Sequence, residues 1–533
     1  MNFDFVIVGA GSAGCAIANR LSKNGRYSVA VLEAGGRDTN PWIHIPVGYF
    51  KTMGNPKTDW QYKTEKDPGL NGRSIPWPRG KVLGGSSSIN GLLYVRGQPQ
   101  DFDHWRQLGN TGWCWDDVLP YFKRAENWNG DNPCEDRGNC GPLTVSPTAL
   151  KRDIIDRWID AAVAAGYKKT ADYNGKNQEG VGYFQLTIDK GKRCSSAAAY
   201  LKPARSRKNL EIITHTQVRK LNIVDGRVTG VDAISHGTQV TISANKEVIL
   251  SAGSIGSPQI LMLSGIGPAQ DLAPLGIAVE KDLQGVGKNL QDHLQARPIF
   301  KTNLSTINVE TNNLFKQGMI AMQYAINRTG PMTMAASLGT GFLKTDKRLE
   351  TPDIQFHIQP FSANNAVEGP HKFSAFTASV LQMRPESTGE LKLKSANYLD
   401  HPIIRPNYLA TPLDQQTIVK GIQIARRIAQ FEPLKSHITE EYEPGYKIGI
   451  EDEAATLEWA RNTSVTIYHP TGTCKMGNDP MSVVDARLCV HGIENLRVAD
   501  CSIMPTITSG NTNAPAIMIG EKVSDMILED AAK

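Results

Sequence analysis

The sequence has 533 residues, of which 40% are hydrophobic and 21% charged, and its 58 basic and 53 acidic residues give a net charge of +5. This composition is typical of a soluble globular protein, and the length indicates two or three domains or one large α/β enzyme. Because the excess charge is small and no block of Lys and Arg occurs, nothing indicates a nucleic-acid partner. The apolar runs are too short to span a membrane.

Neither the cysteines nor the acidic residues predict a metal centre. The eight cysteines are scattered without a C-x-x-C pair, and the sequence has neither an H-E-x-x-H pattern nor carboxylates with EF-hand spacing. We therefore expect no metal. Cys134 and Cys140 are close in sequence, and two free thiols are favoured over a local disulfide. Reduced thiols indicate a cytoplasmic protein, and peripheral membrane attachment is kept as an alternative.

The first 35 residues predict a nucleotide-binding βαβ unit. Residues 3–8 predict a buried strand, residues 9–14 a tight turn, residues 15–22 a helix and residues 29–32 a second strand. In Gly9-x-Gly11-x-x-Gly14 the first glycine permits the turn, the second lets the backbone approach a pyrophosphate, and the third lets helix and strand pack closely. Glu33 follows about 20 residues after this turn, where a ribose-binding carboxylate is expected.

Later segments predict further parts of the same domain. Residues 210–251 contain short β-rich runs and end in an apolar strand at 247–250, so we expect a meander followed by another strand. Ser257 and Pro258 predict the cap and first turn of a helix over 259–263. A late strand is expected within 495–501, and Asn513 is expected to cap a final helix.

Two other regions predict a different kind of sheet. Alternating apolar and polar residues between 295 and 465, as at 353–359 and 390–394, predict an antiparallel sheet, and residues 151–200 are grouped with it. We assign 151–200 and 295–465 to a substrate domain. The nucleotide domain then comprises 1–150, 201–294 and 466–533, so the two domains are interleaved along the chain.

Several longer segments carry a family resemblance. Residues 80–90 (GKVLGGSSSIN) and 253–267 (GSIGSPQILMLSGIG) closely resemble the two signatures of glucose-methanol-choline (GMC) oxidoreductases. Asp500 and the segments 469–477 (HPTGTCKMG) and 510–515 (GNTNAP) extend the likeness over essentially the whole chain. Within the family, the chain is most similar to members that act on choline, alkanols, polyethylene glycol or sorbose.

The resemblance implies an α/β fold, in which a Rossmann-like βαβ domain that binds FAD is interleaved with an α+β substrate domain built on an antiparallel sheet. An NAD-dependent dehydrogenase is disfavoured, because the two signature segments would then have no explanation. The residues expected at the cofactor are Gly9, Gly11, Ser12, Ala13, Gly14, Glu33, Ala34, Trp60, Arg79, Gly84, Gly85, Ser86, Asn90, Gly91, Val218, Asp500 and Thr512.

The family pattern also implies how some of these residues act. Asn90 and Gly91 are expected against the flavin ring, the Val218 backbone at the adenine, and Asp500 beside the ribityl and pyrophosphate groups. Some relatives tether the flavin through a histidine immediately before the Asn90 position. Here that residue is Ile89, which has no nucleophilic atom, so we expect FAD to be bound non-covalently.

Alcohol oxidation requires a base for the hydroxyl proton and a group that stabilises the alkoxide while a hydride passes to flavin N5. Histidine is suited to the first task because its unperturbed pKa lies near the working pH. The catalytic histidine of the family matches His469. The second family position is assigned to Asn513, whose amide can hydrogen-bond the substrate oxygen. His293, in an NLQDH motif that also matches the family, is interpreted as structural.

The resemblance therefore implies oxidation of a primary alcohol to an aldehyde, with electrons passed to a quinone or another acceptor. Choline as the substrate and O2 as the acceptor stay open, because the sequence does not separate these alternatives. A hydroxynitrile lyase is less favoured, although some family members have this activity while keeping FAD. The oligomeric state is not predicted.

Overall fold

The computed structural model describes residues 1–131, 135–363 and 369–533, so the pairing of Cys134 lies outside the described residues. The α-helices of this part of the chain are α1 Ser12–Ser22, α2 Pro41–His44, α3 Tyr49–Thr52, α4 Pro99–Gln107, α5 Trp115–Ala125, α6 Asp153–Ala164, α7 Lys202–Ala204, α8 Gly253–Leu263, α9 Ala269–Leu272, α10 Ile307–Glu310, α11 Leu314–Asn327, α12 Pro412–Ile428, α13 Glu453–Thr463 and α14 Asn513–Ala532.

The strands are short and distributed along the whole chain. They are β1 Asn2–Val8, β2 Val29–Leu32, β3 Tyr62–Lys63, β4 Pro76–Trp77, β5 Glu126–Trp128, β6 Leu143–Pro147, β7 Gly180–Tyr183, β8 Gln185–Leu186, β9 Ile188–Asp189, β10 Lys192–Arg193, β11 Leu210–Ile213, β12 Thr216–Val224, β13 Arg227–Ser235, β14 Thr238–Leu250, β15 Ile266–Gly267, β16 Lys281–Asp282, β17 Leu294–Ala296, β18 Ile299–Thr302, β19 Gly339–Leu343, β20 Ile354–Gln359, β21 Ala375–Gln382, β22 Glu390–Lys392, β23 Ile403–Arg405, β24 Ile438–Glu443, β25 Val465–Thr466 and β26 Leu496–Val498.

The first large sheet has seven strands in the order β11-β2-β1-β14-β13-β12, with β26 beside β14. Strand β1 runs parallel to β2 and β14, and β26 runs parallel to β14. The apolar residues at the centre of β1 are fully buried, as expected for a parallel sheet that is covered on both faces. Helix α1 packs against α14 on one face. The βαβ unit is therefore confirmed, and antiparallel β12, β13 and β14 form the expected meander.

The second large sheet has eight strands in the order β24-β18-β21-β20-β19-β7, with β17 beside β21 and β25 beside β17. Its strand pairs are antiparallel, which confirms the predicted antiparallel sheet. Helix α12 packs on β21. Gly421 permits this contact, because a Cβ there would lie 2.8 Å from a methyl group of Val380. We call this the outer face of the sheet, and the opposite face the inner face.

The structure brings β7, from the predicted segment 151–200, into one sheet with strands from 295–465. Two short strands, β17 and β25, each contain one of the predicted boundaries, at 294/295 and 465/466. The division of the chain into two interleaved domains with these boundaries stays a prediction.

Two predicted helix starts are wrong. Helix α8 begins at Gly253, so Pro258 lies inside it and Ser257 is not its cap. Asp500 explains this earlier start, because its carboxylate accepts hydrogen bonds from the Gly253 amide and the Ser257 hydroxyl. Asn513 is the first residue of α14 rather than its cap, and Thr512 precedes the helix without a capping side-chain bond.

Among the helices that the structure describes, none combines the length and the apolarity required of a membrane span. No group of three or more His, Cys, Asp or Glu side chains within residues 1–131, 135–363 and 369–533 is arranged to hold a metal ion.

Candidate active site

Four parallel strands end at one edge of the first sheet. The register joins the last residues of β1, β2, β14 and β26, which are Val8, Leu32, Leu250 and Val498. The chain segments that leave this edge carry the glycine turn, Glu33, Ser251 and Asp500. Ligands of open α/β sheets bind outside the carboxyl ends of the strands. The sequence-predicted cofactor residues are therefore gathered where the fold offers a binding crevice.

The three glycines of the turn differ in how much space a side chain at each position would have. Gly9 has φ +99°, and a Cβ there would lie 2.5 Å from the Ser251 carbonyl oxygen. A Cβ on Gly14 would lie 2.0 Å from the Gly9 oxygen. Gly11, with φ −81°, would bring its Cβ no closer than 3.8 Å to any atom outside its neighbours. The packing of the protein thus requires Gly9 and Gly14 but not Gly11, which leaves open space beside the N-terminus of α1, where a pyrophosphate fits.

Two buried carboxylates hold the loops at this edge. Glu33 accepts hydrogen bonds from the Ala10 amide at 3.1 Å and the Gly35 amide at 2.8 Å. Burial raises the pKa of Glu33 to about 7, although these two amides oppose the change. Asp500 accepts from Gly253 at 2.9 Å and from the Ser257 hydroxyl at 2.6 Å. Both carboxylates therefore fix main-chain segments that border the crevice.

The loop that carries Asn90 is held by Arg193, a residue that the sequence did not single out. The Arg193 guanidinium donates to the Asn90 side chain at 2.6 Å and to the Asn90 carbonyl at 2.7 Å, and also to the Ile43 and Ser87 carbonyls. Burial lowers the pKa of Arg193 to about 9, and no carboxylate in the described part of the chain pairs with it.

Gly91 permits the segment around Ala336 to pack closely against the Asn90 loop, because a Cβ there would lie 2.4 Å from the Ala336 Cβ.

A chain of hydrogen bonds fixes the proton positions on two buried histidines. His293 Nε2 lies 2.7 Å from the Met383 carbonyl, which can only accept, so Nε2 carries the proton. Burial lowers the pKa of His293 to about 4, so the ring is neutral and its Nδ1 is an acceptor. His469 Nδ1 lies 3.0 Å from that atom and therefore donates to it. The lone pair of His469 is left on Nε2.

The electrostatic surroundings keep His469 neutral. Burial, with the neighbouring His293, His357 and Arg79, lowers the pKa of His469 well below its usual value of 6.5. The backbone beside it is fixed as well, since the His469 amide donates to Asp292 at 2.7 Å. Burial raises the pKa of Asp292 to about 6, although its hydrogen bonds from Thr466 and Tyr408 oppose this rise. His469 is thus a positioned, neutral imidazole whose Nε2 is a hydrogen-bond acceptor.

The structure corrects the asparagine assigned to this histidine. The Asn511 amide nitrogen lies 3.0 Å from His469 Nε2. Asn513, in contrast, accepts a hydrogen bond from the Ser12 hydroxyl at 2.8 Å and lies at the start of α14 beside the glycine turn. The two residues lie on either side of the helix start, where the chain changes direction, so their side chains point to different sites. His293, interpreted as structural, is in direct contact with His469.

The inner face of the second sheet adds polar side chains next to the histidine. The Gln355 amide donates to Asn511 Oδ1 at 3.4 Å, and His357 is paired across the sheet with Ser379. These side chains, with Gln295, are buried. Four of their atoms find no hydrogen-bond partner among the described residues, namely Gln295 Nε2, Gln355 Oε1, His357 Nε2 and Ser379 Oγ. Because buried polar groups need a partner, this face is suited to bind a polar ligand.

Comparison with known proteins places this arrangement in a family. Family models described as GMC oxidoreductase match residues 3–295 and 385–520. The chain belongs to the GMC oxidoreductase family. It is 42% identical to an oxygen-dependent choline dehydrogenase from Brucella suis biovar 1 (strain 1330) over 533 residues, which cover 99% of this chain and 96% of the relative. It is 40% identical to an alcohol dehydrogenase [acceptor] from Pseudomonas putida over 529 residues, with the same coverage.

Solved structures of GMC oxidoreductases match the whole fold. A pyridoxine 4-oxidase from Mesorbium loti matches with a TM-score of 0.89 at 30% identity, covering 98% of both chains. A formate oxidase variant from Aspergillus oryzae RIB40, studied for its effect on FAD modification, matches with a TM-score of 0.92 at 29% identity, covering 100% of this chain and 99% of the other. The chain is therefore a flavoprotein oxidoreductase of this family.

Other predicted cofactor residues are held by contacts within the protein. The Arg79 guanidinium donates to the Tyr468 carbonyl at 2.7 Å, next to His469. Gly84 donates to the Ala10 carbonyl at 2.8 Å, which attaches the second glycine loop to the first. Trp60 stacks on Tyr62 with ring centroids 5.8 Å apart, and Val218 is a buried residue of β12. The contacts of these residues with FAD stay predictions, as do those of Ala13, Ala34, Ser86 and Thr512.

We expect Gly11→Ala to separate folding from cofactor binding. The added methyl group meets nothing closer than 3.8 Å, so the apoprotein should unfold at the wild-type temperature. The same methyl group occupies the approach of the pyrophosphate, and the dissociation constant for FAD should rise by ~10-fold or more. Titration of apoprotein with FAD, followed by flavin fluorescence, measures this change. Gly318→Ala, whose methyl group also enters open space, is the control, and equal FAD affinities in the two variants would contradict the prediction.

Proposed function

We propose that this protein oxidises a primary alcohol to an aldehyde with non-covalently bound FAD and passes the electrons to a quinone or another acceptor. The observation that carries the proposal is the unprotonated Nε2 of His469, which faces the Asn511 amide at 3.0 Å. A proton acceptor and a hydrogen-bond donor that lie side by side can take the proton from a hydroxyl group and stabilise its oxygen once the hydroxyl replaces the bond between them.

The residues of this chain fit the cofactor. Gly11 leaves room for the pyrophosphate at the N-terminus of α1, and the Asn90 loop, held by Arg193, is expected to lie against the flavin ring. When bound, FAD supplies the acceptor for the hydride at flavin N5. Ile89 is buried and has no nucleophilic atom, which supports a dissociable cofactor. Acid precipitation should therefore leave the yellow flavin in the supernatant, and colour that stays with the pellet would contradict non-covalent binding.

His469 and Asn511 have different roles at the substrate oxygen. The alcohol hydroxyl replaces the hydrogen bond between these two side chains, its proton moves to His469 Nε2, and the Asn511 amide donates to the oxygen as negative charge develops. His293 accepts the Nδ1 proton of His469 and so keeps Nε2 available. Because His469 is buried with a lowered pKa, it is unprotonated at neutral pH before substrate binds. His469 is therefore in the form that can accept the hydroxyl proton.

The two asparagines give a direct test of this assignment. Asn511→Ala should slow anaerobic flavin reduction by ~10²–10³-fold, because a preorganised donor to a developing oxyanion is lost. His469→Ala should slow it by ~10²-fold or more, because the base is lost. Asn513→Ala removes the bond to Ser12 and should cost less than ~10-fold in this step. Rapid mixing with the FAD-loaded variants measures all three rates, and a larger loss for Asn513→Ala than for Asn511→Ala would restore the sequence-based assignment.

The inner face of the substrate sheet favours an uncharged alcohol over choline. Its central strands β17, β19, β20 and β21 contain no Asp or Glu that could pair with a trimethylammonium group. Of the strand aromatics, Phe356 packs on Trp158 at the outer face and Phe376 stacks on Phe300. Phe342 lies on the inner face, where its ring packs against Tyr173. Recognition of such a cation requires aromatic faces or a carboxylate. The donors and acceptors on the inner face that lack partners among the described residues are instead neutral amides, a hydroxyl and an imidazole.

We expect neutral primary alcohols to exceed choline in kcat/KM with a phenazine dye as the acceptor. The sharpest comparison is choline with 3,3-dimethyl-1-butanol, which has the same shape without the positive charge. A higher kcat/KM for choline would contradict the substrate proposal and leave the flavin chemistry intact. Admission of air after anaerobic reduction distinguishes an oxidase from an acceptor-dependent dehydrogenase. Bleaching of the flavin by the alcohol excludes a hydroxynitrile lyase.

A further inference from the structure

Helix α11 presents an apolar stripe that no other part of the described chain covers. Four large side chains lie on one face at intervals of three and four residues, and Leu314 precedes them at the helix start. The exposed fractions are 85% for Leu314, 76% for Phe315, 53% for Met319, 57% for Met322 and 71% for Ile326. Single exposed apolar residues are common, but a contiguous group of this kind marks an interaction surface.

The helix is attached to the protein by its opposite side. Tyr324 is its buried residue, and the Tyr324 hydroxyl donates to the Gly191 carbonyl at 3.0 Å in the β9–β10 hairpin. Arg328, in the left-handed region with φ 56°, ends the helix and places its guanidinium over the Tyr324 ring. The apolar stripe is therefore held outward in a defined orientation.

The chain that follows the stripe leads within a few residues to the proposed site. After α11 the chain forms a 3₁₀ turn, Pro331–Thr333, which packs against a second 3₁₀ turn, Pro46–Gly48. A few residues farther on, Ala336 contacts Gly91 beside the expected flavin position. The second turn is flanked by two more exposed aromatic side chains, Trp42 and Phe50.

The charges around the stripe are positive. Residues 311–345 contain no Asp or Glu. Lys316 is exposed on α11 and Arg328 at its C-terminal end, and Lys190 and Lys192 are exposed on the hairpin that holds the helix. Within residues 1–131, 135–363 and 369–533, none of these four cations forms an ion pair. The hairpin contributes one exposed acid, Asp189.

We propose that α11 lies in the headgroup region of a lipid bilayer that contains anionic lipids. Phe315, Met319, Met322 and Ile326 would enter the upper acyl region, and Lys316 and Arg328 would contact the anionic headgroups. An apolar face with a basic rim is the pattern of helices that lie in a membrane interface, and 14 residues are too few to span it. This surface is independent of the proposed activity, although it would bring the site close to acceptors and alcohols that partition into membranes.

A second copy of the chain fits the surface less well. Two copies that met through α11 would bring their Lys316 and Arg328 side chains together, with no carboxylate on either helix to compensate them. Anionic headgroups provide the complementary charge that a second copy lacks.

The experiment is co-sedimentation of the FAD-loaded full-length protein with lipid vesicles. Vesicles of phosphatidylcholine with about one quarter phosphatidylglycerol should bind the protein ~10-fold more tightly than phosphatidylcholine alone, and salt should weaken this binding. The triple variant F315S/M322S/I326S should lose binding to both kinds of vesicle by ~10-fold or more. Lys316→Ser with Arg328→Ser should lose only the preference for phosphatidylglycerol.

The control is a double variant, V224S/L399S, that changes apolar residues exposed elsewhere, at 58% and 61%. It should bind vesicles like the wild type, and retained flavin absorbance and dye-coupled activity in every variant show that the fold is intact. The proposal is overturned if the wild type binds neither kind of vesicle, or if the triple variant binds as well as the wild type. It is also overturned if sedimentation velocity shows a dimer that the triple substitution dissociates, because a second copy then covers the stripe.

Discussion

The site depends on the close contact of three main-chain segments at the edge of the parallel sheet. Gly9 lies against Ser251 and Gly14 lies against Gly9 with no space for a side chain, and Gly85 lies against Gly11. These contacts bring β1, β14 and the second glycine loop to one point. Glu33 and Asp500 then fix the adjoining loops by accepting main-chain amides. A crevice bounded by backbone is the result, and its narrowest free position is at Gly11.

The second requirement is a defined proton position on His469. The Met383 carbonyl follows a strand of the substrate sheet, and His293 precedes β17 of the same sheet, so this sheet sets the protonation of both rings. The chain segment that contains Asn511 comes from the other end of the sequence, beside α14. The proposed base and donor therefore exist as a pair only when the two large sheets are packed together.

The inner face of the substrate sheet links the proposed chemistry to substrate choice. Its amide, hydroxyl and imidazole groups are buried next to Asn511, and several of their atoms lack partners among the described residues. Leaving such groups unpaired is costly in free energy, so a ligand that satisfies them gains affinity. The α11 stripe concerns a separate property, the proposed contact with a lipid bilayer, because its side chains are exposed on a helix outside the crevice.

The sequence by itself determined the features that depend on neighbouring residues. The first strand, the glycine turn, α1 and the Glu33 position follow from local spacing, and the family motifs identified His469. The tertiary structure alone shows that Asn511 and not Asn513 contacts His469, because both occur in one short motif and only the direction of the chain at the start of α14 separates them. It also showed the roles of Arg193 and His293, whose partners are distant in sequence. A contact across the fold leaves no local pattern, and for this reason these residues could not be assigned before the two sheets were brought together.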